Sequence, residues 1–422
     1  MCDDSRAEVF FMEVILKKGA GRTLKSGGAF IYDNEIDCVK GDFENGDIAK
    51  VLDFDGFFLG YGFINVNSVI RIRMLSRFRK EPPDEAFFRD RIKASWALRK
   101  DVIDTSCCRI IFGEADFLPG LTVDRYENIL VFECLALGMK KLLPVVIPAL
   151  VAVLSEDGID IRGVYERSDA PVIKKEGLEP KKGWYYKKDP ADDIPTEVII
   201  TENGIRYRVD FENGQKTGFF LDQKNNRKRL NDLVKGMKRD STSTVSVLDC
   251  FTHMGTFALN AAMGGADTVT ALDISKTAIE AARENASMNG LSDRVSFMEC
   301  DVFEMLPKLY AEGKKYDIVV LDPPAFTKSR EATKRAIAGY REINMRGLSL
   351  IRENGYLLTC SCSHFMTNEL FAKMIREAAR GAKKRVRQLT FSQQAPDHPV
   401  LINSEENSYY LKFFIFQVMT EL

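Results

Sequence analysis

Short apolar runs separated by Gly, Asp and Asn make up the N-terminal part of the chain, from residue 8 to about residue 75. This spacing of short strands and turn residues predicts a small all-β barrel over residues 8–76. Apolar and basic residues alternate in the last run, so Arg71 and Arg73 are expected to share one exposed face. The runs are Val14–Leu16, Ala29–Tyr32, Ile48–Leu52, Phe57–Ile64 and Val69–Met74.

The pattern changes after Pro82-Pro83, which ends the strand-rich region. Two segments with helical periodicity follow, Phe87–Val102 and Met139–Leu154. The polar and aromatic stretch Lys181–Pro195 predicts a linker or a hairpin. Together these features predict an α+β middle domain over residues 77–195, with strands over Arg109–Phe112, Leu121–Val123 and Ile129–Leu135.

From residue 196 to its end, the chain alternates strand-like apolar runs with helix-like segments, which is typical of a parallel sheet with crossovers. In open α/β sheets, ligands bind beyond the carboxyl ends of the strands. The sequence therefore predicts an α/β, doubly wound, Rossmann-like domain over residues 196–422, with a ligand at the strand ends. Four runs end in an acid or in cysteines: Val245–Asp249, Val269–Asp273, Tyr316–Asp322 and Gly355–Cys362.

The turn after the first of these strands indicates which cofactor binds. Gly255 lets the backbone approach a ligand, and a helix begins directly after it. The turn lacks the Gly-x-Gly-x-x-Gly spacing that cradles a pyrophosphate, which favours S-adenosylmethionine over a dinucleotide. Asp273 is expected to bind the ribose and Asp301 the adenine amino group. The other expected cofactor residues are Asp249 for the ammonium, Phe251, Thr252 and Gly255 for the methionine portion, and Gln223 and Arg227 to close the pocket.

Composition and charge narrow the class of protein. The formal net charge of −1 gives no global sign of nucleic-acid binding, so a surface for RNA must be local. The nine cysteines include no CxxC pair, so no metal site is expected and a reducing cytoplasm is favoured. No apolar run is expected to reach the length of a membrane helix, the longest being Leu142–Leu154 with two prolines. The sequence therefore predicts a cytoplasmic protein.

Five sequence motifs along the chain are distinctive enough to indicate a protein family: Gly113–Tyr126, Tyr165–Asp169, Gln215–Arg227, Asp322–Phe326 and Ser361–Ser363. With the order barrel, α+β region, Rossmann-like domain, they resemble the large-subunit ribosomal RNA methyltransferase I family, which acts at carbon 5 of cytosine in 23S rRNA. The resemblance implies that the barrel is a PUA domain, an RNA-binding module. Two places depart from the family. Gly27-Gly-Ala-Phe30 stands where Gly-His-Pro-Trp is usual, and His253 stands where Tyr is common.

The resemblance also implies the chemistry of the site. Carbon 5 of cytosine is a poor nucleophile until a thiolate adds to carbon 6. Cys362, just past a predicted strand, is the expected nucleophile, whereas Cys360 is expected to pack in the core. Asp322 is expected to hold the target base. The expected substrate-binding residues are Pro323 and Pro324, which stiffen the turn, Phe326, which stacks on the base or belongs to the core, and Arg71 and Arg73 for RNA.

Two other functions stay open at the level of sequence. Methyltransferases that act on an exocyclic amino group of a purine use a similar Asp-Pro-Pro-aromatic turn and need no cysteine. Ala325 and Cys362 argue against that class. A non-catalytic RNA-binding or ribosome assembly factor would keep the fold without turnover, and the presence of Asp273, Asp322 and Cys362 argues against it. The expected partner is 23S rRNA or a large ribosomal subunit precursor, and a homodimer is compatible with the sequence.

Overall fold

The computed structural model describes residues 12–239, 243–326, 333–402 and 408–420. Internal contacts divide the chain into two units. Unit 1 comprises the residues up to 198 together with 210–219 and 396–408, and unit 2 comprises 199–209, 220–395 and the residues from 409 onward. Residues 8–11 of the predicted barrel lie outside the described residues. The division into three domains at 76 and 195 stays a prediction.

The N-terminal part of unit 1 is a six-stranded sheet with the order β2-β6-β5-β4-β1-β3. Its apolar core includes Val14, Ile31, Val51 and Ile72, and the short helix α1 (Arg22–Lys25) packs beside it. The predicted strands are present, and β3, which is mostly exposed, is one that the pattern did not indicate. The strands are β1 (Glu13–Leu16), β2 (Phe30–Tyr32), β3 (Ile36–Lys40), β4 (Ile48–Leu52), β5 (Phe58–Ile64) and β6 (Ile70–Ser76).

The middle region of unit 1 is a five-stranded sheet, ordered β11-β10-β9-β8-β7, with two helices packed on it. The prediction of a linker or a hairpin at Lys181–Pro195 is wrong for the first half of that segment. Lys181–Lys187 is an edge strand, because its aromatic residues pair with β10 and pack on Tyr165. The elements are α2 (Glu85–Val102), β7 (Cys107–Phe112), β8 (Leu121–Tyr126), β9 (Ile129–Cys134), α3 (Leu137–Glu156), β10 (Gly163–Ser168) and β11 (Lys181–Lys187).

Helix α3 is longer than the apolar run that the sequence indicated. It is 20 residues long and apolar enough to pass a test for a membrane span by length and composition. Half of its most apolar window is buried inside the protein, and its buried residues belong to the core under α2 and the sheet. Gly138 in its first turn lies against the ring of Phe63. These contacts are those of a core helix.

Buried ion pairs join distant parts of unit 1. Arg99 in α2 forms two 2.6 Å hydrogen bonds to the carboxylate of Asp116 and donates to the backbone carbonyl of Asp397 at 2.9 Å. Arg109 binds Asp124 in the same bidentate way, and Asp124 also accepts from the Thr217 hydroxyl. The sequence motifs that contain Asp116, Asp124 and Thr217 are therefore explained by the hydrogen bonds that these residues make in the interior of unit 1.

Unit 2 is built on a seven-stranded sheet with the order β16-β15-β14-β17-β18-β20-β19. The first five of these strands are parallel, and β20 is antiparallel to both of its neighbours. The strands are β14 (Ser246–Cys250), β15 (Thr268–Asp273), β16 (Val295–Glu299), β17 (Tyr316–Leu321), β18 (Ile351–Ser361), β19 (Lys384–Ser392) and β20 (Lys412–Thr420).

Helices connect most of these strands, as the doubly wound prediction requires. One feature departs from the predicted alternation: a hairpin of β12 (Glu197–Glu202) and β13 (Ile205–Asp210) precedes the sheet. The helices are α4 (Lys224–Met237), α5 (Thr256–Met263), α6 (Lys276–Met288), α7 (Val302–Ala311), α8 (Thr333–Ser349) and α9 (Asn368–Gly381).

Candidate functional site

The turn between β14 and α5 is shaped to approach a ligand closely. Phe251 and His253 have positive φ angles of 64° and 52°, and Gly255 has a φ of 81° at the N-cap of α5. A Cβ at Gly255 would lie 3.2 Å from Ala282 and from the Phe297 ring, so a larger residue would press on both. Glycine at this position therefore permits the tight bend from which α5 begins.

Asp249 at the end of β14 is fully buried. Its Oδ2 accepts hydrogen bonds from the Thr252 hydroxyl at 2.6 Å and from the Ala258 amide at 2.9 Å. Its Oδ1 has no hydrogen-bond partner among the described residues. Burial raises the pKa of this carboxyl to about 7, and the nearby Asp322 and Asp273 act in the same direction. A buried acceptor without a partner fits a ligand that brings an ammonium group.

Two further acids lie at the ends of neighbouring strands. Asp273 ends β15, and its two oxygens accept from the backbone amides of His253 and Ser275 at 2.8 and 2.9 Å. The carboxylate is thereby fixed at the edge of the turn, where a ribose diol would bind it. Asp301 is exposed and caps α7 by accepting from the Phe303 amide at 2.7 Å. The structure thus brings Asp249, Asp273 and Asp301 to the same edge of the sheet.

Asp322, just after β17, forms a polar cluster with Gln223 and Cys360. The Gln223 amide donates to Asp322 at 3.0 Å, and the Cys360 thiol also hydrogen-bonds this carboxyl. Desolvation and the nearby Asp222 raise the pKa of Asp322 to about 7. Asp322 can therefore exchange a proton near neutral pH. Gln223 thus contacts the catalytic candidate, and its role in closing the cofactor pocket stays a prediction.

Cys360 and Cys362 lie in different environments, although they are two residues apart. Cys360 is fully buried in β18, and burial together with Asp322 raises the pKa of its thiol well above the usual value. Cys362 follows the end of β18 and is partly exposed. A buried thiol stays protonated and inert, whereas a partly exposed thiol beside a cation is reactive.

A buried lysine supplies such a cation. Lys412 in β20 pairs across the sheet with Ser361, and its ammonium donates to the carbonyls of Ser363 and Tyr410 at 2.7 and 2.9 Å. It also interacts electrostatically with Cys362. Burial lowers the pKa of Lys412 to about 8, so most of its population is charged at neutral pH.

Tyr340 in α8 contacts both the end of β18 and the segment that follows β17. Its hydroxyl accepts from the Ser361 hydroxyl at 3.1 Å and bonds the backbone of Phe326. The Phe326 ring lies 4.6 Å from the Tyr340 ring and 5.9 Å from the Phe303 ring, on the edge of the core. Phe326 is thus partly buried in an aromatic cluster, with Pro323 buried and Pro324 exposed before it.

The side chain of Arg227 does not lie on the exposed face of α4. Its side chain is almost fully buried and forms two hydrogen bonds to Glu202 at 2.6 and 2.8 Å. It also donates to the Phe220 carbonyl at 2.9 Å. Its assignment to the cofactor stays a prediction, but these contacts explain the residue by the packing of α4 on the β12–β13 hairpin.

The expected exposure of Arg71 and Arg73 is wrong. The two side chains do share a face of β6, but only 16% and 13% of their surfaces are exposed. The reason is pairing within unit 1: Arg71 binds Asp33, and Arg73 lies 2.9 Å from Glu176. Their assignment to RNA stays a prediction.

Sequence reasoning missed Lys412, Tyr340 and Glu202. Lys412 comes from β20, 50 residues after Cys362, and Tyr340 lies in the middle of the helix between β17 and β18, so no spacing rule connects either residue with the candidate catalytic groups. A single lysine at the start of an otherwise apolar run, Lys412–Phe416, was the one available signal.

Comparisons with known proteins agree with this geometry. A family model described as S-adenosylmethionine-dependent methyltransferase matches residues 189–402, and a PUA-like domain model matches residues 14–77. Two solved structures share the fold at 22% identity, each covering 96% of this chain and 99% of its own. One is a SAM-dependent methyltransferase from Streptococcus mutans with a TM-score of 0.77. The other, with a TM-score of 0.79, is a methyltransferase complexed with SAH.

Curated relatives align over almost the whole chain. The ribosomal RNA large subunit methyltransferase I of Alteromonas mediterranea is 36% identical, covering 96% of this chain and 98% of the relative. The protein of the same name from Shewanella frigidimarina is 39% identical, covering 96% and 99%. With a PUA-like domain before a domain that uses S-adenosylmethionine, the chain belongs to the ribosomal RNA large subunit methyltransferase I family.

Proposed function

We propose that this chain methylates carbon 5 of a cytosine in 23S rRNA, with Cys362 as the nucleophile. The observation that carries the proposal is the position of Cys362 at the carboxyl end of β18, partly exposed and beside the Lys412 cation. The adjacent strand β17 ends just before Asp322, so the two candidate groups lie at the same edge of the sheet. The names of the relatives support ribosomal RNA as the substrate.

Four steps complete the proposed reaction. The Cys362 thiolate adds to carbon 6 of the cytosine, which makes carbon 5 nucleophilic. S-adenosylmethionine would supply an electrophilic methyl group, which carbon 5 accepts as S-adenosylhomocysteine leaves. A base then removes the proton from carbon 5, and the bond between sulfur and carbon 6 breaks to regenerate the thiolate. The residue after Pro324 is Ala325, so a second cysteine does not serve as that base there.

Asp322 is the proposed partner of the base. Because its pKa is raised to about 7, it can donate a proton to N3 as the thiolate adds, and take the proton back when the adduct collapses. Gln223 keeps one carboxyl oxygen in place by its 3.0 Å hydrogen bond. The proposed setting is the cytoplasm, with 23S rRNA or a large-subunit precursor as the partner.

The proposal is tested by covalent trapping with 23S rRNA fragments that contain 5-fluorocytidine. Fluorine at carbon 5 cannot leave as a proton does, so the adduct accumulates when S-adenosylmethionine is present. We expect a denaturation-resistant RNA adduct with the wild-type enzyme and none with Cys362→Ala. Cys38→Ala, which removes an exposed thiol of the barrel, serves as the control for general loss of a cysteine.

Cys360→Ser separates the two thiols. It keeps a hydrogen-bonding group beside Asp322, so its adduct is expected to form even if the rate falls. An adduct with Cys362→Ala that disappears with Cys360→Ser would overturn the choice of nucleophile. Wild-type enzyme that methylates ordinary rRNA but forms no adduct would overturn the thiol mechanism in favour of an exocyclic amino methyltransferase. Binding to rRNA without any methyl transfer would favour an assembly factor.

A further inference from the structure

The motif Gln215–Arg227 contains a buried amide that the proposed chemistry does not use. Asn226, in the first turn of α4, is fully buried, and Gln223, just before that helix, is almost fully buried. The side-chain amide of Asn226 donates to the Oε1 of Gln223 at 2.7 Å. Because Gln223 in turn donates to Asp322 at 3.0 Å, Asn226 is connected to the catalytic candidate through one intervening side chain.

A third side chain lies behind Asn226. The hydroxyl of Ser392, at the end of β19, donates to the Oδ1 of Asn226 at 2.7 Å. The three hydrogen bonds therefore run in one direction, from a hydroxyl through two carboxamides to the carboxyl of Asp322. Hydrogen bonds in such a buried chain polarise and strengthen one another. All four side chains belong to unit 2.

A backbone carbonyl fixes the direction of this chain. The side-chain nitrogen of Asn226 also donates to the carbonyl of Gln393 at 3.4 Å. A carbonyl can only accept, so the nitrogen of Asn226 lies on that side and its oxygen faces Ser392. The second hydrogen of the same amide then points at Gln223, which must present its oxygen to Asn226 and its nitrogen to Asp322. Without Asn226, the Gln223 carboxamide could present either atom to Asp322.

The orientation of Gln223 matters because the surroundings of Asp322 act against its charged form. Burial and the nearby Asp222 raise the pKa of Asp322, whereas the Gln223 N–H group stabilises the carboxylate. A Gln223 turned the other way would present an oxygen to the carboxylate, and this stabilisation would be lost. The other titratable or charged side chains that interact with Asp322 are Asp249, Arg227, Tyr340 and Cys360.

We infer that Asn226 is a positioning residue of the reaction: by holding the Gln223 carboxamide in one orientation, it keeps a hydrogen-bond donor on Asp322 and so sets how readily that carboxyl gives up its proton. The inference rests on the proposed function in taking Asp322 as the proton donor to the target base. Asn226 acts on Asp322 only through Gln223. Ser392 and the Gln393 carbonyl hold Asn226 in turn.

The test is the pH profile of kcat/KM for radiolabelled methyl transfer to 23S rRNA by the full-length enzyme. Proton donation requires the protonated form of Asp322, so the activity falls along the alkaline arm as the pH rises above the pKa of this group. Loss of the donor raises that pKa, so the alkaline arm should move to higher pH. We expect a shift of about 1–2 pH units for Gln223→Met and of about 0.4–1 unit for Asn226→Leu, the worth of a charged and of a neutral hydrogen bond.

Two further variants separate an action through Gln223 from a loss of stability. In the Gln223→Met background, Asn226→Leu should add no further shift, because the side chain that Asn226 orients is absent. Asn231→Leu removes another buried amide of α4, which donates to the Asn260 carbonyl at 2.9 Å, and should leave the alkaline arm in place. Urea unfolding measures the stability that each variant loses.

Asn226→Asp keeps the shape of the amide if the leucine variant does not fold. A carboxylate can only accept, so it draws the Gln223 N–H groups away from Asp322 and should move the alkaline arm at least as far. An alkaline arm at its wild-type position in both Asn226 variants would overturn the inference, as would an undiminished shift from Asn226→Leu in the Gln223→Met background. A shift of the acid arm instead would mean that Asp322 acts as a base, which would refute the proposed chemistry and still support Asn226 as the residue that positions Gln223.

Discussion

Lys412 sets the charge beside the proposed nucleophile, yet it lies on a strand that comes 50 residues after Cys362. Its ammonium holds the Ser363 carbonyl and so fixes the turn that carries the thiol. A cation that interacts electrostatically with a cysteine favours its thiolate over the thiol. Lys412 is therefore a positioning residue whose charge matters as much as its hydrogen bonds.

Lys412→Met is expected to lower methyl transfer by roughly 10-fold at neutral pH, the equivalent of about one pKa unit. Without the cation, more of the thiol is protonated, so the acid limb of the activity profile should move to higher pH. The measurement is kcat/KM for radiolabelled methyl transfer across a pH series. Lys314→Met, an exposed lysine just before β17 at the opposite edge of the sheet, is the matched control. An even loss at every pH would indicate that Lys412 acts through structure alone.

At the scale of single residues, sequence reasoning could place strand-end acids but not their surroundings. Asp249, Asp273 and Asp322 each follow an apolar run, and the parallel sheet brings them to one edge. The choice between Cys360 and Cys362 depended on a resemblance, because alternation along a strand does not tell which thiol is accessible. The prediction that Arg71 and Arg73 are exposed was wrong because their ion-pair partners, Asp33 and Glu176, are distant from them in sequence.

Among the secondary-structure elements, the β12–β13 hairpin depends on a buried ion pair. Glu202 of β12 and Arg227 of α4 are both almost fully buried and bind each other through two hydrogen bonds. Removing one member of such a pair leaves an uncompensated charge, whereas removing both does not. The pair therefore holds the hairpin against the first helix of unit 2.

Arg227→Met is expected to destabilise unit 2 by about 3–5 kcal/mol, because Glu202 loses its partner in the interior. The double variant Arg227→Met with Glu202→Leu should recover most of this loss. Unfolding in urea is monitored by circular dichroism. The affinity for S-adenosylmethionine is measured separately by calorimetry. Unchanged affinity in the double variant would assign Arg227 to structure. A loss of about 10-fold or more would instead support the predicted cofactor role.

Element boundaries were predictable where a period extended over several residues, as in α2 and β5. Errors arose where tertiary contacts decided the outcome. Lys181–Lys187 contains turn-like and charged residues, but Trp184 packs on Tyr165 and Phe211 and makes the segment an edge strand. Two prolines did not shorten α3, because its apolar face is held in the core of unit 1.

At the scale of the whole molecule, the order of the chain differs from the order of the units. Residues 396–402 come after six strands of the unit 2 sheet, yet they belong to unit 1. Asp397 carries this contact: its carboxylate accepts from the Arg109 amide at 2.9 Å and bonds the His398 ring at 2.8 Å. Composition shifts along the sequence could not predict this return, because it follows from contacts between distant residues.

Asp397→Ala is expected to destabilise unit 1 by about 1–3 kcal/mol, since the buried Arg109 amide loses its acceptor. Both tryptophans of the chain, Trp96 and Trp184, lie in unit 1, so their fluorescence during urea unfolding reports on that unit. Asp293→Ala, which removes an exposed carboxylate of unit 2, should leave the fluorescence midpoint where it is. If Asp397→Ala has the same fluorescence midpoint as the wild type, the contacts of Asp397 do not contribute to the stability of unit 1.

The hydrogen bond from Arg99 to the Asp397 carbonyl joins residues 298 positions apart. During synthesis at about 5–20 residues per second, Arg99 is made roughly 15–60 s before its last partner. Unit 1 therefore stays incomplete until almost the entire chain has been synthesised. A nascent chain thus reaches its complete N-terminal fold only after the sheet that carries Cys362 has largely been made, which couples the maturation of both units in time.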